Sequence, residues 1–226
     1  MFYPAIGGAA LTSLCELARK YGTDKGGKHY IAGDTCHEYT PIYDRLFSGR
    51  RESVTSVLEI GVANGCSLRM WEEYFPNAFI IGLDHNPDCL RHTLGRVIVI
   101  SADQGNPGSL LDALALWDSY REELFDLIVD DGSHQLGHQI SSMQTLLPFL
   151  KKDGYYVIED LEYDCKPELV YDHTPKGFFP ILYSCEPGLG KAMCECGCGE
   201  PETLLAFRHG IKDDMWKKPF SHPELT

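Results

Sequence analysis

The sequence lacks the features by which membrane proteins and nucleic-acid-binding proteins are recognised. None of its apolar runs approaches the roughly 20 residues that are needed to span a bilayer. Only 20 residues are Lys or Arg, against 33 that are Asp or Glu, so the formal net charge is -13. Such a charge opposes binding to the phosphates of nucleic acids and of anionic lipids. We therefore expect no membrane partner, no nucleic-acid partner, and a small-molecule substrate.

The first residues lack the basic segment and the small-residue cleavage site of a secretory signal. The apolar stretch MFYPAIGGAA contains no Lys or Arg and continues into the helix-like stretch LTSLCELARK. This pattern predicts a cytoplasmic protein.

The nine cysteines lack the CxxC spacing of structural zinc sites. Cys194, Cys196 and Cys198 alternate with other residues in MCECGCGE, without a second cluster of the kind that usually completes a zinc site. We therefore expect this loop to hold free thiols and no metal, and we expect the five scattered cysteines to be small buried or half-buried side chains.

The central part of the chain has an alternation of short apolar runs and helix-like stretches. The predicted strands are residues 57–60, 78–83, 96–101, 124–129 and 154–158, and the predicted helices lie near 66–74, 108–121 and 136–150. This alternation is typical of parallel strands joined by right-handed crossovers. It predicts an α/β fold with a doubly wound, Rossmann-like sheet that is mostly parallel. The segments FPILYS and TLLAFRHGI predict a C-terminal antiparallel edge pair.

The N-terminal part predicts a helical lead-in, residues 1–55, ahead of a sheet domain over residues 56–226. One predicted helix, SLCELARKYG, ends at Gly22, and a second, YTPIYDRLF, precedes the first strand. Because no Pro-, Ser- or Gly-rich linker separates the two parts, we expect one globular unit.

Candidate binding residues follow the predicted strands, because ligands of such sheets lie beyond the carboxyl ends of the strands. The loop EIGVANG follows the first strand, and its glycines allow the backbone to pass close to a ligand. This loop departs from the dinucleotide pattern GxGxxG. Its candidate residues are Glu59, Gly61, Asn64 and Gly65.

The next two strand ends also carry polar residues. Asp84 stands about 20 residues beyond the glycine turn, where a carboxylate can accept the hydroxyl groups of a ribose. Asp103 and Gln104 follow the third strand, where a side chain can accept a hydrogen bond from the amino group of an adenine. Each residue alone is an ordinary turn residue, but their order at three consecutive strand ends indicates a nucleoside-containing cofactor.

The fourth predicted strand ends in VDDGSHQLGHQ, which contains two carboxylates and two imidazoles within a few positions. Asp, Gly and Ser are ordinary turn residues, and a His at the start of a helix is often a surface group. Taken alone, the segment is therefore compatible with a simple turn as well as with a reactive site.

Together these residues resemble class I S-adenosylmethionine-dependent methyltransferases, and among them the metal-dependent sugar O-methyltransferases of macrolide and tetracenomycin biosynthesis. The resemblance covers about residues 18–162 and implies the class I methyltransferase fold. It implies a cofactor site that includes Glu59, Gly61, Asp84, Asp103 and Gln104. The matching segments are KYGTDKGG, HEYTPIYDRLF, LEIGVANGCSLRMWEEYFPNAFIIGLD, SADQGNP, FDLIVDDGSHQLGHQ and LPFLKKDGYYVIEDL.

The resemblance also implies a divalent metal held by Asp131 and Asp160, with His134 as the catalytic base. Methyl transfer from a sulfonium needs a good oxygen nucleophile, and a hydroxyl group is a poor one until its proton is removed or its charge is stabilised. Carboxylates suit Mg²⁺, and imidazole is the natural base near neutral pH. We place Asp130 with the cofactor-binding residues and leave the third metal ligand open.

The residues leave other functions open. A nicotinamide-dependent oxidoreductase would also use Asp84 on a ribose, although EIGVANG replaces its glycine motif. A non-catalytic, regulatory cofactor-binding protein is a second alternative. We predict a Mg²⁺-dependent O-methyltransferase of natural product biosynthesis that acts on a hydroxyl group of a small molecule, a sugar or a glycosylated natural product. An amino-sugar, a phenol or a polyketide hydroxyl is the alternative acceptor. Monomer and homo-oligomer both remain open.

Overall fold

The computed structural model describes residues 13–26, 37, 39–121, 124–161, 167–185 and 202–209. Within these residues the chain forms a seven-stranded sheet. Its strands are β1 (Ser56–Ile60), β2 (Phe79–Asp84), β3 (Val97–Ser101), β4 (Phe125–Asp130), β5 (Leu150–Ile158), β6 (Phe178–Cys185) and β7 (Glu202–His209). The strand order is β3-β2-β1-β4-β5-β7-β6.

The pairing confirms the predicted architecture. Strands β1 to β5 are parallel to one another, and β7 is antiparallel to both β5 and β6. The chain therefore has the predicted mostly parallel sheet with an antiparallel pair at its edge. The strand order reverses between β1 and β4, and the ends of these two strands are where such a sheet binds its ligands.

Helices cover both faces of this sheet. They are α1 (Leu14–Tyr21), α2 (Thr40–Phe47), α3 (Cys66–Tyr74), α4 (Pro107–Arg121), α5 (Leu136–Leu146) and α6 (Pro167–Tyr171). Helix α1 begins with a capping box between Ser13 and Glu16, and Gly22 after it has the left-handed conformation. Its end at Gly22 confirms the prediction from the sequence. None of the described helices has both the length and the apolar character that crossing a membrane requires.

One predicted helix is shorter than expected. The prediction of a helix over 136–150 is wrong at its end, because α5 stops at Leu146 and Leu147–Phe149 form a 3₁₀ turn. Pro148 explains the difference, since proline has no backbone N–H and its ring clashes with the preceding turn of an α-helix. Strand β5 then begins at Leu150, four residues before the predicted strand.

The buried core lies in two layers, one on each face of the sheet. Val57 and Leu58 are both fully buried and point to opposite faces, as successive residues of a central strand do. Val57 packs in the layer that contains Leu14 of α1 and Tyr43 of α2, whereas Leu58 packs in the layer that contains Trp117 of α4. The helical lead-in therefore shares the core of the sheet.

Candidate active site

A cavity of about 740 Å³ opens beyond the carboxyl ends of the first five strands. Residues from the loops after β1, β2, β3, β4 and β5 line it, together with the turn that follows α1. The predicted site residues among them are Gly61, Asn64, Asp84, Asp103, Gln104, Asp131, His134 and Asp160.

Gly61 brings the loops after β1 and β4 into contact. Its φ of 92° is favourable for glycine, and a Cβ atom added there would lie 1.9 Å from the backbone oxygen of Asp131. Asp131 in turn donates its backbone N–H to the carbonyl of Ile60 at 3.0 Å. Close approach of these loops places the glycine loop directly against the predicted catalytic segment. Gly65, with a φ of 74°, precedes α3 and does not line the cavity.

Asp84 is held by backbone donors. Its carboxylate accepts hydrogen bonds from the N–H groups of Val62 at 2.9 Å, Ala63 at 3.3 Å and Asn86 at 2.8 Å. Burial alone would raise the pKa of Asp84, but these backbone hydrogen bonds hold it below its ordinary value. The side chain is thus an ionised acceptor on the cavity wall, which is what recognition of ribose hydroxyl groups requires. Asp103 accepts from the Gly105 N–H at 2.9 Å on the same wall.

Gln104 has its side-chain amide engaged with protein. Its Nε2 donates to Oδ1 of Asp130 at 2.6 Å, and its Oε1 accepts from the backbone N–H of Ser133 at 2.9 Å. Gln104 also lines the cavity, so the adenine contact expected from the sequence stays a prediction. The amide connects the loop after β3 with the loop that carries Asp131 and His134.

Glu59 and Asp130 are buried behind the cavity and do not line it. Asp130 accepts hydrogen bonds from Gln104, from Ser142 and from the Tyr156 hydroxyl, and burial raises its pKa to about 6. Glu59 accepts from the indole N–H of Trp71 at 2.8 Å. Protein groups contact both carboxylates behind the cavity wall, and the predicted contacts of Glu59 and Asp130 with the cofactor stay predictions.

Asp131, His134 and Asp160 come together as the sequence reasoning expected. Each offers a ligand atom, and these atoms all lie within 4.8 Å of one another. Strands β4 and β5 are neighbours with Asp130 opposite Ile158, so the residues that follow them meet at one edge of the sheet. Nε2 of His134 lies 3.9 Å from Oδ2 of Asp160.

The backbone at this cluster is unusual. His134 has a φ of 58° and Asp160 a φ of 49°, both in the left-handed region that non-glycine residues rarely adopt. Such conformations persist where the surrounding structure enforces them, and they concentrate at functional sites. The two carboxylates, both partly exposed to the cavity, fit a hard divalent cation that retains several water molecules, and the imidazole of His134 lies beside them.

The sequence reasoning missed a buried polar group behind this cluster. The ammonium of Lys25 contacts the carboxylates of Asp131 and Glu159 and lies 3.2 Å from Oε1 of Glu59. Burial alone would lower the pKa of Lys25, but the three carboxylates raise it well above its ordinary value. Lys25 therefore stays charged. Burial likewise raises the pKa of Glu159, although Lys25 opposes that shift.

Two tyrosines of the lead-in complete this buried group. The Tyr39 hydroxyl donates to Asp160 at 2.6 Å, and the Tyr43 hydroxyl donates to Glu159 at 2.6 Å. Lys25, Tyr39 and Tyr43 belong to the segments KYGTDKGG and HEYTPIYDRLF, which the resemblance included. These segments are far from the strand ends along the chain, so the sequence did not indicate that they contact the site. The cysteine loop, with Cys194, Cys196 and Cys198, lies outside the described residues.

Comparison with known proteins gives relatives that are named as O-methyltransferases. No family model matches the chain. It is 34% identical over 206 residues to an 8-demethyl-8-alpha-L-rhamnosyl tetracenomycin-C 2'-O-methyltransferase of Streptomyces olivaceus, covering 87% of this chain and 51% of that protein. It is 38% identical over 161 residues to a mycinamicin VI 2''-O-methyltransferase of Micromonospora griseorubida, covering 68% of this chain and 37% of that protein. The chain thus spans about half, or less, of the length of these relatives.

Solved structures agree with these relatives. The MycE methyltransferase of the mycinamycin biosynthetic pathway, in complex with Mg and SAH, is 27% identical with a TM-score of 0.67 and covers 92% of this chain and 57% of that one. Its complex with Mg, SAH and mycinamycin VI matches at 37% identity and a TM-score of 0.58, over 68% of this chain and 38% of that one.

Proposed function

The chain has the class I methyltransferase fold and is a homologue of the O-methyltransferases of tetracenomycin and macrolide biosynthesis, and we propose on this premise that it is itself an S-adenosylmethionine-dependent O-methyltransferase. The proposed reaction transfers a methyl group to a hydroxyl group of a small molecule and needs a divalent cation, Mg²⁺. One observation carries the proposal. Asp131, His134 and Asp160 converge on the same cavity that Asp84 lines with an ionised carboxylate.

The cofactor part of the proposal rests on the loops after β1, β2 and β3. Asp84 accepts hydrogen bonds from the ribose hydroxyl groups, and Asp103 lies on the same wall of the cavity. Gly61, without a side chain, lets the loop after β1 lie against the backbone of Asp131, so this loop joins the cofactor wall to the loop that carries the metal cluster. S-adenosylmethionine supplies a sulfonium-bound methyl group, and demethylation of the cofactor leaves a neutral thioether.

The catalytic part rests on the cluster after β4 and β5. Asp131 and Asp160 hold the cation, which when bound stabilises negative charge on an acceptor oxygen. His134 accepts the proton of the acceptor hydroxyl at Nε2 as the oxygen forms its bond to the methyl carbon and the carbon–sulfur bond breaks. Nε2 of His134 lies 3.9 Å from Oδ2 of Asp160. An acceptor hydroxyl group beside the proposed cation would therefore also lie near the proposed base.

The proposed acceptor is a hydroxyl group on the sugar of a glycosylated natural product. Two oxygens of a vicinal diol can replace two waters on a cation that two carboxylates hold. The names of the relatives, which include a rhamnosyl tetracenomycin, support this class of substrate. No finding favours the oxidoreductase alternative. Cytoplasmic location, the absence of a nucleic-acid partner and the oligomeric state stay predictions.

Metal removal tests this function. Methyl-labelled S-adenosylmethionine is incubated with the protein and either rhamnosyl tetracenomycin or mycinamicin VI, first with Mg²⁺, then with EDTA, then with Mg²⁺ restored. We expect transfer that EDTA abolishes and that Mg²⁺ restores. The Asp131→Asn variant should lose activity at ordinary Mg²⁺ and regain part of it at high Mg²⁺.

The matched control is Asp112→Asn, which removes an exposed carboxylate from α4. Its activity should equal that of the unmodified protein. Transfer that EDTA leaves untouched would refute the metal role, and calorimetry without any heat of S-adenosylmethionine binding would refute the cofactor and with it the function.

A further inference from the structure

The hydroxyl group of Tyr39 forms two hydrogen bonds with Asp160. Its hydroxyl donates to Oδ1 of Asp160 at 2.6 Å and accepts the backbone N–H of the same residue at 3.3 Å. The tyrosine is 1% exposed and lies 121 positions away along the chain. One hydroxyl group thus fixes both the carboxylate and the backbone of a residue whose φ of 49° is intrinsically unfavourable.

The position of Tyr39 is itself fixed by Lys25. The backbone N–H groups of Tyr39 and Thr40 both donate to the Lys25 carbonyl, at 3.0 and 3.1 Å. The Lys25 ammonium contacts the Asp131 carboxylate. Lys25 and Tyr39 therefore form one buried unit of the lead-in that contacts both carboxylates of the cluster. His37 stacks on the Tyr39 ring, and its Nδ1 lies 3.3 Å from Oδ1 of Asp160.

We infer that Tyr39 is a positioning residue for the metal site, which holds Asp160 in the conformation that completes the site with Asp131. The inference rests on the proposed function, because it takes Asp131 and Asp160 as the ligands. Hydrogen bonds to ligating carboxylates orient them, and loss of such a partner typically lowers metal affinity or activity by about 10- to 100-fold. Tyr39 touches neither the cavity nor the reacting atoms, so it acts through Asp160.

Tyr43 offers a matched comparison. It lies one turn further along in α2, is fully buried, and its hydroxyl donates to a carboxylate at the same 2.6 Å. That carboxylate belongs to Glu159, which does not line the cavity. Tyr39→Phe and Tyr43→Phe therefore each remove one buried hydroxyl from the same segment, but only the first removes it from a proposed ligand.

Titration with Mn²⁺ by calorimetry measures the effect directly on the full chain. We expect Tyr39→Phe to weaken Mn²⁺ binding by about 10- to 100-fold. Its S-adenosylmethionine affinity should be unchanged, and Tyr43→Phe should keep Mn²⁺ affinity within about threefold, because Glu159 is not a ligand. In the activity assay, Tyr39→Phe should raise the Mg²⁺ concentration for half-activation while leaving turnover at saturating Mg²⁺ near its original value.

The outcomes separate this inference from the proposed function. Unmodified protein that binds no Mn²⁺ would refute the proposed metal site and the inference with it. Unmodified protein that binds Mn²⁺, with Tyr39→Phe binding it equally well, would refute the inference alone. Equal loss of Mn²⁺ affinity in both tyrosine variants, or a parallel loss of cofactor affinity in Tyr39→Phe, would show a general effect on packing and would also overturn the inference.

Discussion

The two ends of the cavity are held in place by different kinds of contact. At the cofactor end, Asp84 is fixed by backbone N–H groups that lie within 22 positions of it along the chain. At the metal end, Asp131 and Asp160 are fixed by side chains that lie 106 and 121 positions away, Lys25 and Tyr39. The cofactor end is therefore built by local loop structure, and the metal end depends on the tertiary fold.

The two ends of the cavity should also differ in how much a side-chain substitution destabilises them. Backbone donors are present whatever the side chains are, so the cofactor end depends on loop shape. The metal end depends on a buried ammonium among the carboxylates of Asp131, Glu159 and Glu59, and removal of one partner from such a group leaves charges that burial penalises. Substitutions should accordingly produce different failures at the two ends.

The largest effect is expected from His134→Ala at the metal end. Loss of a positioned general base should lower turnover by about 10² to 10⁴. S-adenosylmethionine and Mn²⁺ affinities, measured by calorimetry, should stay unchanged.

The control for this variant is His173→Ala, which removes an exposed imidazole that follows α6. It should leave turnover as it is. If His134→Ala instead weakens Mn²⁺ binding, the imidazole is a metal ligand, and the assignment of His134 as the base is wrong.

A smaller effect is expected from Asp84→Ala at the cofactor end. Hydrogen bonds to a charged group contribute about 1.5 to 3 kcal/mol, so S-adenosylmethionine affinity should fall about 10- to 150-fold. Mn²⁺ affinity should not change. Tyr39→Phe should show the reverse, with weaker Mn²⁺ binding and unchanged affinity for S-adenosylmethionine. Asp88→Ala is the control, because Asp88 is an exposed acid four residues further on. Unchanged cofactor affinity in Asp84→Ala would remove this residue from the site.

The same comparison explains what the sequence could predict. The sheet, its antiparallel edge and the convergence of Asp131, His134 and Asp160 follow from local patterns, because strand ends meet at one edge once the strands are parallel. Lys25, Tyr39 and Tyr43 were visible in KYGTDKGG and HEYTPIYDRLF, but local patterns do not show which distant carboxylate a buried side chain meets. The burial of Glu59 and Asp130 behind the cavity depends on tertiary packing for the same reason.

Gln104 lies between the two ends and should give the smallest effect. If its amide connects Asp130 with the Ser133 N–H, Gln104→Ala removes a buried hydrogen bond to Asp130 and a partly buried one from Ser133, and it lowers the free energy of unfolding by about 1–2 kcal/mol. Denaturant unfolding measures this loss, with Gln144→Ala as the control, because Gln144 is exposed and donates to the His173 carbonyl.

Cofactor affinity in the same variant decides between the two uses of the amide. An amide that forms a hydrogen bond with adenine contributes to cofactor binding. Its removal would then lower the affinity for S-adenosylmethionine as strongly as Asp84→Ala does. An amide already engaged by Asp130 and Ser133 contributes to the position of the loop, so affinity should stay within about threefold while stability falls. Unchanged stability together with a large loss of affinity would restore the interpretation drawn from the sequence and would assign Gln104 to the cofactor end alone.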